Sequence, residues 1–102
     1  MARAGLDREA VLAAATAIAD AEGLDAVTLA GVARALGVKT PSLYNHVPSL
    51  GALQRDLALA GMREANMRMT RAAVGLARGD ALVAIGLAYR DFARERPGLY
   101  AA

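Results

Sequence analysis

TLAGVARALGVKTPSLYNHVPSLGAL, residues 28–53, is the stretch whose reading decides the fold. Leu29, Val32, Ala33 and Leu36 recur at i, i+3, i+4 and i+7, the spacing of one buried helical face. Thr28 stands before them as an N-cap for the orphan N–H groups of the first turn. Gly37 follows the last apolar residue, where a left-handed backbone ends a helix at little cost. Thr40-Pro41 then opens a second helix, with Thr40 as N-cap and Pro41 at N1, where a missing N–H is no loss. Leu43 and Val47 point one way along it. Pro48 stops it, and Ser49 caps a third helix. Two short helices across a tight turn make a helix-turn-helix.

The surface of the second helix, Thr40 to His46, is unusual. Apart from Leu43 it offers hydroxyls, an amide, an imidazole and a phenol, groups that suit phosphate oxygens and base edges in a major groove. A short structural helix would more commonly carry charges or alanines outside. Lys39, in the turn just ahead, reaches for a guanine edge or a phosphate. Ser42 and Asn45, three apart and without another structural task, are the candidates for base contacts.

These residues also carry a resemblance. T-L-x-x-V-A-x-x-L-G-V followed by K-T-P-S-L-Y-N-H-V and a further helix resembles the DNA-binding domain of the TetR/AcrR family of bacterial transcriptional repressors. Leu43-Tyr44-x-His46 is its most diagnostic part, and the exit Gly23-Leu24-x-x-Val27-Thr28 of the preceding helix fits as well. The resemblance implies phosphate contacts from Thr28, Tyr44 and His46. Thr28, Lys39, Thr40, Pro41, Ser42, Tyr44, Asn45 and His46 together form the candidate DNA-facing set. Many members place a lysine at the start of the fourth helix, where this chain has Leu50, so one charge contact is expected to be lacking.

Outward from this stretch the rest of the chain reads as helix. Asp7 caps a first helix to about Glu22, with Gly23 at its exit and Val11, Leu12, Ala15, Ile18 and Ala19 as its apolar stripe. Leu24 and Val27 in the connection plug the bottom of the core. The arm from Met1 to Leu6 presents Arg3 to a DNA backbone or minor groove, or to solvent alone. From Ser49 to about Thr70 one long helix runs, locally weakened by Gly51 and Gly61, with Met62 and Met69 as core filler. Val74 to Gly79 breaks it. Asp80 is expected to cap a last helix, Ala81 to Arg94, whose Leu82, Ile85, Tyr89 and Phe92 share a side. Arg96-Pro97-Gly98 ends that helix, and the pattern A-x-x-x-F-A-x-x-x-P-G-L-Y resembles the start of the regulatory domain in one branch of the same family.

The expected fold class is therefore all-α: a three-helix head at residues 1–49, then a linking helix and the beginning of a helical ligand-binding and dimerisation domain at residues 50–102. The resemblance implies a repressor that binds a palindromic operator in double-stranded DNA as a homodimer, released by a small-molecule effector held in a missing C-terminal part. The rival reading is a helical interaction module that keeps the fold without reading DNA. The charge distribution bears on that choice. Residues 1–50 carry four basic and five acidic side chains, residues 51–102 eight and five. A head that is not basic must rely on few well-placed contacts, helix dipoles and dimerisation rather than on broad attraction.

Several classes drop out. The chain contains no cysteine, which removes disulfides and thiolate chemistry and accords with a cytoplasmic protein. His46 is the lone histidine and has no metal-ligand spacing around it, so no metal or other cofactor is expected. No nucleophile–base pair or phosphate-cradling glycine loop is present, which argues against an enzyme. The N-terminus lacks the apolar run of a signal peptide, and no uncharged apolar stretch is long enough to span a membrane.

Overall fold

The structure, a computed structural model, describes residues 6–102, so the arm with Arg3 lies outside the described residues. Every regular element among them is helical: α1 (Arg8–Glu22), a 3-10 turn (Leu24–Ala26), α2 (Leu29–Leu36), α3 (Thr40–Leu43), α4 (Leu50–Ala73), α5 (Arg78–Glu95) and α6 (Pro97–Ala101). None of these helices is long and apolar enough to cross a membrane.

Local signals set most of the boundaries. The Asp7 carboxylate accepts the Ala10 N–H, the Thr28 hydroxyl the Gly31 N–H and the Ser49 hydroxyl the Ala52 N–H, at 2.8, 3.0 and 3.1 Å. Each satisfies a donor that the first turn of its helix leaves unpaired. Gly37 sits in the left-handed region at φ 71°, while Val38 donates back to the Ala33 carbonyl, closing α2 sharply.

The head packs α1, α2 and α3 around one core. Val11, Val32, Leu43 and Val47 are fully buried, joined by Ala15, Ala19 and Val27. Ile18, Leu24, Leu29 and Leu36 pack around them half-buried, as the stripes on α1 and α2 require. Leu53 and Leu57 bring the first turns of α4 into the same core. Arg8 ties α1 to α4 with both nitrogens of a fork, Nε to one oxygen of Asp56 at 2.9 Å and Nη2 to the other at 2.7 Å.

The helix α4, 24 residues long, runs out of the head and pairs with α5. Arg68 stitches them: it binds Glu64 at 2.8 Å and Glu95 at 3.0 Å, and its guanidinium lies 5.8 Å from the centre of the Phe92 ring. Both Arg8 and Arg68 have their pKa raised, chiefly by the hydrogen bonds to Asp56 and Glu64 respectively. The short α6 then doubles back between α1, α4 and α5.

Four expectations need correction. α5 starts at Arg78 behind Ala77, with no side-chain cap; Asp80 lies inside the first turn, where its charge meets the helix dipole. The packed stripe of α5 is Ala81, Ala84, Ile85, Ala88 and Phe92, whereas Leu82 and Tyr89 are exposed. Met62 is 68 % exposed and fills no core, unlike half-buried Met69. Pro97-Gly98 opens α6 as well as ending α5, Pro97 standing in its first turn.

Candidate nucleic-acid interface

The helix-turn-helix places its second helix by two anchors. Leu43 and Val47 are both wholly buried, one turn apart, and the Val47 N–H donates to the Leu43 carbonyl at 2.8 Å. With that side fixed in the core, the other side of residues 39–46 must face outward. α3 itself is shorter than the expected Thr40 to His46 helix. Its regular part ends at Leu43, and Tyr44 to His46 continue as a tight turn in which the Tyr44 and His46 amides reach back three residues, to Pro41 and Leu43. Pro48 lies just beyond and cannot donate to continue the ladder.

Thr40 is the second correction of detail here. The helix takes Lys39 as its N-cap residue and no side chain caps it; Thr40 stands at the first helical position and Pro41 next to it. Lys39 has extended dihedrals, as a residue at the edge of a turn does, and Pro41 is compatible with either first-turn position. Thr40 is thus left without the capping bond that would have explained it.

The candidate residues come together on the outside of the head to different degrees. Lys39, Pro41, Tyr44 and Asn45 are exposed, Tyr44 at 54 %. Thr40, Ser42 and His46 are half-buried, with Ser42 less open than its spacing with Asn45 suggested. Thr28 is exposed while its hydroxyl is engaged in capping α2. Leu50, at the first position of α4, packs half-buried against the core instead of facing out.

Charge on this surface is sparse. Of the described arginines and lysines in the head, Arg8 is held by Asp56, leaving Arg34 and Lys39 without an ion-pair partner among the described residues. Both are exposed and flank the α2–α3 turn. Arg34 does not figure in the expected set; its exposure on the polar side of α2, three residues before Gly37, is the signal that could have found it. No group of three or more potential metal ligands occurs among the described residues.

A buried two-residue anchor, an exposed polar turn and a supporting helix with a capped N-terminus define a helix-turn-helix protein. Comparison narrows the class: residues 11–53 match the family described as bacterial regulatory proteins, tetR family. The chain belongs to that family, one of transcriptional regulators rather than enzymes. It is 39 % identical, over 97 % of its length, to the HTH-type transcriptional regulator Rv0681 of Mycobacterium tuberculosis, and 37 % identical, over 98 %, to the HTH-type transcriptional regulator YobS of Bacillus subtilis. A shorter match, 52 % identical over 47 % of the chain, joins it to the HTH-type transcriptional repressor DrrR1 of Streptomyces coeruleorubidus and covers 17 % of that protein. The chain spans about half the length of the first two relatives, 45 % and 52 % respectively.

Proposed function

We propose that this chain is the DNA-reading part of a TetR-like transcriptional regulator that works in the cytoplasm as a ligand-released repressor. Two copies set the segment Thr40–His46 into successive major grooves of a palindromic operator. Ser42 and Asn45 read base edges, while Thr28, Lys39, Thr40, Tyr44 and His46 hold phosphates and Pro41 packs against the backbone. Residues 1–49 act as the head and residues 50–102 as the linking helix with the first part of a regulatory domain. The small-molecule effector binds in the remainder of that domain and changes the spacing of the two heads.

The observation that carries this reading is the burial of Leu43 and Val47 opposite exposed Lys39, Tyr44 and Asn45. Polar side chains are thereby held outward on a rigid support, free to bond a ligand. The word repressor in the name of the Streptomyces relative supports the direction of control.

A rival reading, a helical interaction module, draws on half-buried Leu50 and the scarcity of unpaired cations in the head. Selection of duplexes from a random-sequence pool, followed by titration of the recovered duplex and a scrambled one, separates the two. The regulator enriches a palindrome, and Ser42→Ala/Asn45→Ala removes the preference while leaving scrambled-duplex binding intact. Failure to enrich any sequence would favour the module, and equal loss on both duplexes would refute the base-reading assignment.

A further inference from the structure

The helix α6 has five residues, too few to be stable alone, and its N-cap residue Arg96 supplies no side-chain cap. The missing cap comes from α1. One oxygen of Asp20 accepts the Gly98 N–H at 2.9 Å, and the other accepts Arg96 Nε at 2.7 Å. Both residues of the ion pair are partly shielded, with side-chain exposures of 31 % for Arg96 and 21 % for Asp20.

Backbone contact reinforces this on two sides. Gly98 is buried against Ala19, so closely that a methyl group there would overlap the Ala19 carbonyl carbon and Cβ. On the other side a methyl group at Gly61 of α4 would lie 2.5 Å from the Leu99 carbonyl oxygen. Helix α6 is therefore wedged between the head and the linking helix with no long side chain intervening at either point. Such a wedge has little slack: a shift of α6 moves α1 against α4.

We infer that the Asp20 carboxylate is the remote cap on which α6 folds, and that through it α1 holds the DNA-reading head at one set angle to α4 and α5. Asp20 is then a positioning residue for DNA recognition, and it touches no DNA itself.

The inference rests on the DNA-reading function proposed above, and its test keeps the two apart. The full 102-residue chain is compared with Asp20→Ala, Asp20→Asn and Arg96→Ala by amide hydrogen exchange, and by titration of the selected and scrambled duplexes. Asp20→Ala is expected to speed exchange at Gly98–Ala102 by about tenfold while α2 amides stay protected. The ratio of selected to scrambled affinity is expected to fall several-fold, with scrambled-duplex affinity unchanged. Asp20→Asn still accepts the Gly98 N–H but loses the charged pair, so it falls between wild type and Asp20→Ala, as does Arg96→Ala.

Unchanged exchange in α6 would overturn the cap. Faster exchange in α6 with an unchanged affinity ratio would overturn the positioning role. Should Asp20→Ala unfold the head, the two milder variants decide by the same readings. If the wild type prefers no duplex, the DNA reading fails and the positioning role with it, while the exchange data still decide the cap.

Discussion

Gly98 of α6 meets Ala19 of α1 backbone to backbone, and Gly98 cannot gain a side chain there without moving a helix. Gly98→Ala is therefore expected to destabilise the protein by about 1–3 kcal/mol, the usual cost of overpacking. Gly51→Ala is the contrasting case. Its added methyl group would find the Ser49 hydroxyl at 3.7 Å, an ordinary contact, and a glycine in the first turn of α4 becomes an alanine, with a gain of at most about 1 kcal/mol. Denaturant midpoints of the two variants should move in opposite directions.

The head's core gives the second prediction. Leu43 is fully buried in a helix of four residues and holds the polar segment 40–46 to the core of the head. Leu43→Ala is expected to cost about 2–5 kcal/mol, a large share of the roughly 5–15 kcal/mol that holds a small domain together. Thermal melts followed by circular dichroism check it; a loss below about 1 kcal/mol would mean that the site collapses around the cavity.

The architecture was legible in the sequence where the signals were local. Asp7, Thr28 and Ser49 cap the helices that they precede, Gly37 turns where its neighbours require it, and Val11, Ala15, Val32 and Leu43 form the core that the helical spacing picks out. What stayed hidden depends on contacts between residues far apart in the chain. Asp20 looks like any solvated acid until Arg96 and Gly98 are brought to it, and Gly61 looks like a weak point until Leu99 lies across it. For the candidate site, residue types and the buried anchor were readable from the pattern. The early end of α3, where the Tyr44 and His46 amides reach back three residues instead of four, and the half-burial of Ser42 were not.

The Arg8–Asp56 pair supplies a prediction about pH. The pKa of Arg8 is raised, first by the hydrogen bond to Asp56 and then by its charge. A cation whose folded pKa exceeds its unfolded one stabilises the fold at every pH below the unfolded value, and loses that contribution only as pH climbs through the folded value. For an arginine that window lies beyond the working range. The difference in denaturant midpoint between wild type and Arg8→Ala should thus stay flat from about pH 6 to pH 10. It should shrink with added salt, because Arg8 is 63 % exposed. A difference that fades on going from neutral to mildly alkaline pH would mean that another group governs the link.

Lys39 is an exposed cation of the head without an ion-pair partner among the described residues, and it stands at the start of α3. If it binds a phosphate, each copy releases counterions in proportion, and the logarithm of affinity falls with the logarithm of salt by about 0.9 per contact. Lys39→Ala is expected to flatten that slope by about 0.9 per bound copy on selected and scrambled duplexes alike. A base-edge contact would behave differently: affinity would drop on the selected duplex alone, with the slope on scrambled DNA untouched. Titrations at several salt concentrations on both duplexes distinguish the two. Arg34→Ala measured in parallel tells whether the cation on α2 shares the load, since a second phosphate contact would flatten the slope by a similar amount.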